Sequence, residues 1–218
     1  MHLTPQEADT VEARIARVEA RTGVQVVTAV TGKSDGYPEV VWKAFALGVA
    51  ASGLVLVAID VVRPNWVGAH YMWFTAMPML AVGVVSALLA IAVPEYARLY
   101  LNRVRAAGEV RQYAQSMFVE RRLFRTRAHI GVLILASLFE RHVEIVADSG
   151  FDDRVDAATW RSVVDAMTPE LRAGRPAAAF LRALDRLETM LVERRFSPDP
   201  TRGDDELSNR PIDTEGAA

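Results

Sequence analysis

Four aspartates lie close together in the second half of the chain: Asp148, Asp152, Asp153 and Asp156. Hard cations such as Ca²⁺ and Mg²⁺ take several oxygen ligands, and Asp carboxylates commonly supply them. At a helix N-terminus the same side chain accepts hydrogen bonds from free backbone N–H groups and favours the positive end of the helix dipole. The sequence leaves both interpretations open, helix capping and a divalent-metal site. Asp35 would join a metal site only if the strand ends meet.

Other catalytic patterns fail on spacing. Residues 32–34, Gly-Lys-Ser, match the end of a phosphate-binding loop, but the leading glycine of that motif would fall at Val27 and no helix pattern follows. The four histidines lie in separate settings without metal-ligand spacing. Cysteine is absent, which excludes disulfides and thiolate chemistry and suits a cytoplasmic domain. No nucleophile motif is present, so whether the chain is an enzyme stays open.

Arginine is concentrated between Arg98 and Arg127, where Glu109 and Glu120 are the only acidic residues, although the net charge of the chain is −2. Such a basic segment beside a membrane attracts anionic lipid headgroups. Nucleic acid is an alternative partner, but the interleaved aromatic motif of a known binding module is missing. We therefore predict anionic lipid headgroups, and no nucleic acid, as the partner of this segment. A protein partner remains a further alternative.

Two apolar runs, Ala44 to Ile59 and Tyr71 to Val93, contain no charged residue. At ~1.5 Å per helical residue the second would reach ~35 Å, enough to cross a hydrocarbon core of ~30 Å. The connection between them contains Pro64 and Gly68, which turn the chain. The alternative is a pair of helices buried in a soluble core, but the rest of the chain is too small to enclose them. We predict a two-helix transmembrane hairpin in a lipid bilayer.

The orientation of this hairpin follows from the basic residues at its ends, because cationic loops stay on the cytoplasmic side. Arg63 is the only Lys or Arg between the helices, whereas six flank them: Lys33, Lys43, Arg98, Arg103, Arg105 and Arg111. The sequence therefore predicts a protein of the bacterial inner membrane with two spans and both termini cytoplasmic.

The remaining sequence predicts an α/β domain with a small mixed sheet between helices. Thr4-Pro5-Gln6-Glu7 is a capping-box pattern, and Gly23 would end the helix that starts there. Strands are predicted at 24–30, 130–138 and 142–147, the last two antiparallel. Helical spacing resumes from Val155 to Leu191, divided by Pro169 and Gly174.

The domain is therefore split along the chain. We predict its first part at residues 1–43, the hairpin at 44–93, its second part at 94–195, and a disordered acidic tail at 196–218.

This order of elements resembles the TPM domain family, more narrowly its bacterial membrane branch, which has a transmembrane hairpin inserted after the first strand. The residues that carry the resemblance are Gly23-Val24-Gln25-Val26-Val27, Gly131-Val132-Leu133-Ile134-Leu135, Glu140-Arg141, Val143-Glu144-Ile145-Val146-Ala147-Asp148 and the tail Asp205-Glu206-Leu207-Ser208-Asn209-Arg210-Pro211.

The resemblance implies an α/β/α sandwich with a site among acidic residues at one sheet edge. The matching positions are Asp148, Asp152 and Asp153, which would bind Ca²⁺ or Mg²⁺. The chain departs from many secreted members in lacking an aspartate within Met1-His2-Leu3-Thr4. Family members are linked to phosphatase activity, cation binding and assembly or repair of membrane complexes. We therefore expect a cytoplasmic module that assembles membrane-protein complexes, with a membrane protein or a second copy as partner. The alternative is a metal-assisted phosphatase.

Overall fold

The computed structural model describes residues 2–62, 71–126, 128–198 and 207–216. The elements follow the chain in this order: α1 Pro5–Thr22, β1 Gln25–Lys33, α2 Pro38–Val62, α3 Tyr71–Ala92, α4 Pro94–Arg98, α5 Arg103–Glu120, β2 Gly131–Ser137, β3 His142–Ala147, α6 Ala157–Arg172, α7 Pro176–Glu193 and β4 Ile212–Gly216. The predicted loop between the two apolar helices lies outside the described residues, as do Arg63 and Arg127.

The strands form one four-stranded sheet in the order β3-β2-β1-β4. β1 is parallel to β2, with Gln25 opposite Gly131. β2 and β3 are antiparallel, as their short charged connection predicted. β4 is parallel to β1, with Ala29 opposite Ile212. The sheet is therefore mixed, and the predicted α/β class is confirmed.

The first helix has the predicted ends. The Thr4 hydroxyl accepts a hydrogen bond from the backbone N–H of Glu7, and the Glu7 carboxylate accepts one from the backbone N–H of Thr4 at 2.8 Å. Gly23 ends the helix at φ 70°, a left-handed conformation that glycine adopts without steric cost. The predicted apolar face is buried: Ala8, Val11, Ile15 and Val18.

Helices cover both faces of the sheet. Apolar side chains of the strands point alternately to one face and the other, so both faces are covered. One face packs against α1, α6 and α7, with Val26, Val132 and Ile134 pointing into that layer. Val27 and Leu133 point the other way, where α5 covers them with Val110 and other apolar side chains. The domain is a helix–sheet–helix sandwich.

The chain divides into two compact units, Met1–Asp35 with Val104–Ala218, and Gly36–Arg103. The first, which we call the domain, contains the sheet and its covering helices. The second, which we call the hairpin, contains α2, α3 and α4. α2 begins at Pro38, ahead of the uncharged run at Ala44, because proline at a first helical turn costs no hydrogen bond and the helix continues through Lys43.

The tail from residue 196 is predicted to be disordered, but two parts of it pack against the domain, so the prediction is wrong for these parts. Phe196 is buried and stacks on Phe151, with a ring-centroid distance of 5.1 Å. The guanidinium of Arg154 lies over the Phe196 ring and donates to the carbonyls of Arg194 and Arg195, which closes the end of α7. The second part is β4, which extends the sheet beside β1.

The predicted break at Pro169 is also wrong. Pro169 lies inside α6, close to its end, where the missing N–H removes one helical hydrogen bond without ending the helix. α6 ends instead at Arg172, ahead of Gly174 at φ 71°. Gly174 is therefore the residue that separates α6 from α7, as predicted.

Candidate functional site

Asp148 directly follows β3, at the end of the sheet where β2 begins. Its backbone N–H donates to the carbonyl of Gly131 at 2.9 Å. One carboxylate oxygen accepts a hydrogen bond from the backbone N–H of Ser149 at 2.8 Å, and the other lies 3.3 Å from Nδ1 of His129. Asp148 therefore caps the short 3₁₀ turn that starts at Ser149.

Of the four aspartates considered for helix capping, Asp156 caps the next helix, whereas Asp152 and Asp153 do not. α6 begins at Ala157, and the Asp156 carboxylate accepts from the backbone N–H of Thr159 at 2.7 Å. Hydrogen bonds from Thr159 lower the pKa of Asp156. Asp152 and Asp153 lie earlier, exposed in the turn behind the buried Phe151.

Asp35 lies at the opposite end of the strands. It follows the C-terminal end of β1, whereas Asp148 adjoins the start of β2, and the two strands run parallel. Asp35 pairs instead with Arg105, at 3.5 Å between the carboxylate and the guanidinium. Among the described residues, no three His, Cys, Asp or Glu side chains are grouped to hold a metal ion. The predicted site at Asp148, Asp152 and Asp153 gains no support from this geometry.

A polar cluster that the sequence did not predict lies at the C-terminal ends of β1 and β2. Ser34 donates its backbone N–H to the Glu140 carboxylate at 2.8 Å, and its hydroxyl lies 3.0 Å from that of Ser137. The Ser137 hydroxyl also donates to Glu140. Ser34 and Ser137 are 7% and 3% exposed, so a substrate has no access to either hydroxyl. The cluster ties the ends of two strands together.

The helices of the hairpin approach each other closely at glycines. A Cβ added to Gly48 would lie 2.9 Å from Cβ of Ser86, and one added to Gly83 would lie 2.6 Å from Cγ2 of Val49. The Ser86 hydroxyl donates to the carbonyl of Ala44 at 2.8 Å. The contact between α2 and α3 therefore depends on the absence of side chains at Gly48 and Gly83.

A chain of hydroxyl groups connects this contact to α4. The hydroxyls of Ser86 and Tyr96 are 2.6 Å apart, and Tyr100 donates to Tyr96 at 2.8 Å. The Lys43 ammonium donates to the carbonyl of Tyr100 at 3.3 Å. These bonds fix the short helix that follows α3.

The outer surface of the hairpin is largely apolar, with Lys43 and Asp60 exposed toward the two ends of α2. Two stretches are long and apolar enough to cross a membrane, Pro38–Val62 and Trp73–Ala92. Exposed tryptophans lie near the start of each helix, Trp42 in α2 and Trp73 in α3. Since the helices are antiparallel neighbours in a hairpin, these tryptophans mark opposite ends of it, which is where interfacial aromatic residues lie in membrane proteins.

Among the described residues of the basic segment from Arg98 to Arg127, three arginines form ion pairs with carboxylates: Arg98, Arg105 and Arg111. Burial raises the pKa of Glu144, but hydrogen bonds from His142 and Arg111 outweigh it and leave this pKa below its usual value. Arg105 also lies 3.4 Å from Glu109. Ion pairs join Arg98 to Glu95 at 3.2 Å, Arg105 to Glu109, and Arg111 to Glu144 at 3.0 Å.

Comparison with known proteins supports the fold. Residues 95–190 match the sequence model of the TPM domain. No curated protein matches the chain. The fold is similar to the NMR structure of the BA42 protein from the psychrophilic bacterium Bizionia argentinensis, with a TM-score of 0.58 and 14% identity over 97% of this chain and 94% of that chain. The predicted resemblance to the TPM domain is thereby confirmed.

Proposed function

We propose that this chain, which carries a TPM domain and two helices long and apolar enough to span a membrane, is an integral protein of the bacterial inner membrane. The hairpin anchors the protein in the lipid bilayer. The domain works on the cytoplasmic side as an interaction module that assembles membrane-protein complexes.

The observation that carries this proposal is the exposed apolar surface of the hairpin. Leu54 is 73% exposed, and Val62 and Ile91 are similarly exposed. Soluble monomers rarely expose a continuous apolar patch larger than a few hundred Å², because each Å² left in water costs about 25 cal/mol. A lipid bilayer removes this cost along the full length of both helices.

The topology of the sheet supports a shared side for the two ends of the hairpin. β1 precedes the hairpin and β2 follows it, yet the two strands pair over seven residues from Gln25 with Gly131 to Thr31 with Ser137. Both segments must therefore lie on one side of the membrane. The surplus of Lys and Arg flanking the hairpin favours the cytoplasmic side.

Single cysteines test this orientation, since the natural chain has none. Cysteine is placed at Asp9, at Asn65 or at Ser197, and intact cells are treated with an impermeant thiol reagent. Labelling should occur at Asn65 alone until the cells are permeabilised. Labelling of Asp9 or Ser197 in intact cells would reverse the orientation, and equal labelling of all three positions would contradict a membrane hairpin.

The assembly role is tested by purification from membranes in a mild detergent, followed by identification of the proteins that remain bound. We expect a stoichiometric membrane-protein partner or a second copy of the chain. The matched control carries the hairpin alone, residues 36–103. A partner retained equally by the hairpin alone would remove the domain from this role, and a monomer without partners would contradict it.

The alternative function is a phosphatase assisted by Ca²⁺ or Mg²⁺. Its ligands would be Asp148, Asp152 and Asp153, and adjacent carboxylates without further oxygen ligands bind such cations weakly. Calorimetric titration of the full chain should detect weak binding or none. Sub-micromolar affinity that is lost in Asp148→Asn but kept in Asp156→Asn, together with release of phosphate from a phosphomonoester, would favour the phosphatase.

A further inference from the structure

We propose that the five residues Arg121–Arg125, which we call the arginine turn, bind anionic lipid headgroups, with Phe124 entering the membrane interface. This inference rests on the proposed membrane anchoring, because the hairpin keeps the domain near a lipid surface. It goes beyond the anchoring in assigning a separate membrane contact to one surface of the domain.

The charges of the arginine turn are available to a ligand. Arg98, Arg105 and Arg111 each lie within 3.5 Å of a carboxylate. In the part of the chain that the structure describes, no ion pair involves Arg121, Arg122 or Arg125, and all three are exposed. Three unpaired cations within five residues are an attractive surface for phosphate groups.

The turn is held rigidly on the domain by its middle residue. Leu123 is fully buried in the apolar cluster beneath α5. Its carbonyl oxygen would lie 2.4 Å from a Cβ added to Gly131, so only glycine allows the turn to approach the start of β2 this closely. The hydroxyl of Thr126 accepts from the backbone N–H of Ile130 at 3.0 Å and secures the other side. The outward side chains therefore project from a fixed backbone.

The backbone of Arg122 is left-handed just after the end of α5. Arg122 has φ 56° and ψ 35°, a left-handed conformation that is costly for a residue with a Cβ and that glycine adopts freely. Arg141 and Arg195 share this conformation, and a left-handed residue commonly follows the end of a helix. Glycine at this position would relieve the strain and remove the guanidinium, which makes Arg122 a useful position for a test.

Apolar side chains beside the arginines select a membrane as the partner. Phe124 is 43% exposed and Val119 is 61% exposed, and both are among the few large apolar side chains that the domain leaves in water. Lipid surfaces are recognised by basic residues together with aromatic residues that enter the headgroup region. An acidic protein or a nucleic acid would use the same charges but would not respond to lipid composition.

The experiment uses the full chain with a fluorescent label on Val119→Cys, in nanodiscs containing a lipid with a quencher near its headgroup. One set of nanodiscs contains phosphatidylcholine alone, and the other also contains phosphatidylglycerol. We expect quenching in the second set only. Raising the salt to about 1 M, where the Debye length falls to about 3 Å, should abolish it.

Two triple variants separate charge from structure. Replacing Arg121, Arg122 and Arg125 by Gln should remove the quenching, whereas replacing the same three residues by Lys should keep it. The matched control is the double variant Arg105→Gln and Arg111→Gln, which should quench like the parent protein. A label on Ala173→Cys, an exposed residue at the end of α6, should not respond to lipid charge.

Arg122→Gly provides a test that does not depend on the triple variants being folded. It should melt no lower than the parent protein, because glycine relieves the left-handed strain, and it should quench less. Quenching that is equal in both lipids, or that survives the Gln variant, would overturn the proposal. Failure of the protein to enter nanodiscs would instead contradict the membrane anchoring itself.

Discussion

The domain and the hairpin contain the same apolar residue types, but the domain buries them in its core and the hairpin exposes them on its surface. Leu184 and Leu187 of α7 are fully buried against the sheet. Leu54 of α2 and Leu88 of α3 point outward and are mostly exposed. Because apolar side chains are stable outside water, this difference fits the proposed function, in which the domain is surrounded by water and the hairpin by lipid.

Their inner contacts differ for the same reason. The domain fills its interior with large side chains such as Phe180 and Met167, whose removal from water stabilises the fold. In lipid that gain disappears, and close packing takes its place. The hairpin accordingly places Gly48, Gly83 and Ser86 where its helices meet.

The largest expected effect comes from separating the two units. Replacing residues 36–103 by a Gly/Ser linker of about six residues should give a soluble protein with a cooperative melt, because extra loop length costs little. The ion pair between Asp35 and Arg105 shows that the ends to be joined are close. Sedimentation with membranes and thermal melting provide the measurements. An aggregated product, obtained while the full chain is folded in detergent, would contradict the division into two units.

A matched pair of leucines sharpens the comparison. Leu184→Ala should lower the free energy of unfolding of the domain by about 2–5 kcal/mol, since it leaves a cavity in a closed core. Leu54→Ala should leave the unfolding of the domain unchanged, because that side chain points outward from the hairpin. Denaturant melts of the full chain in detergent test both. Equal losses would mean that the exposed leucine supports the domain.

Two glycines provide a smaller contrast. Gly83→Val should separate α2 from α3, because even its Cβ would lie 2.6 Å from Val49. Cysteines at Gly53 and Met79 report the separation through a short thiol crosslinker, because these positions face each other on α2 and α3. We expect slower crosslinking in the valine variant. Gly108→Ala in α5 meets no atom within 4 Å and should stabilise the domain by about 0.5–1 kcal/mol.

The smallest expected effect is a pH dependence confined to the domain. Burial raises the pKa of Glu188, but hydrogen bonds from Arg14 and Arg21 outweigh it and lower this pKa overall. The stabilising contribution of Glu188 is therefore complete above its unfolded pKa of about 4.3 and is lost as the pH falls through the lower folded value. Chemical unfolding at a series of acidic pH values should show a flatter loss of stability in Glu188→Gln. An unchanged slope would assign the effect to other carboxylates.

The parts of the fold that the sequence predicted are those with local signals. The capping box at Thr4 and the apolar spacing that follows describe α1 without reference to any other segment. The uncharged runs likewise identify α2 and α3, since length and composition suffice to find a membrane-length helix. β2 and β3 adjoin along the chain, so their antiparallel pairing follows from a short connection.

The parts that the sequence did not predict depend on distant partners. β4 contains Asp213 and Glu215 and lacks a strong strand pattern, and it forms because the edge of β1 accepts it. The Asp213 carboxylate also accepts the backbone N–H groups of His2 and Leu3, at 2.6 and 2.9 Å. The cluster of Ser34, Ser137 and Glu140 was missed because its members meet only after β1 and β2 pair.

The position of β1 at the centre of the sheet determines when the domain can form during synthesis. β1 is made before the hairpin, but its neighbours β2 and β4 are made after it, with Ala29 pairing with Leu135 on one side and Ile212 on the other. Such long-range pairings have high contact order and form slowly. Under the proposed membrane anchoring, the hairpin would be inserted before the domain can fold. Until β2 emerges from the ribosome, β1 has both edges open to pairing with other chains.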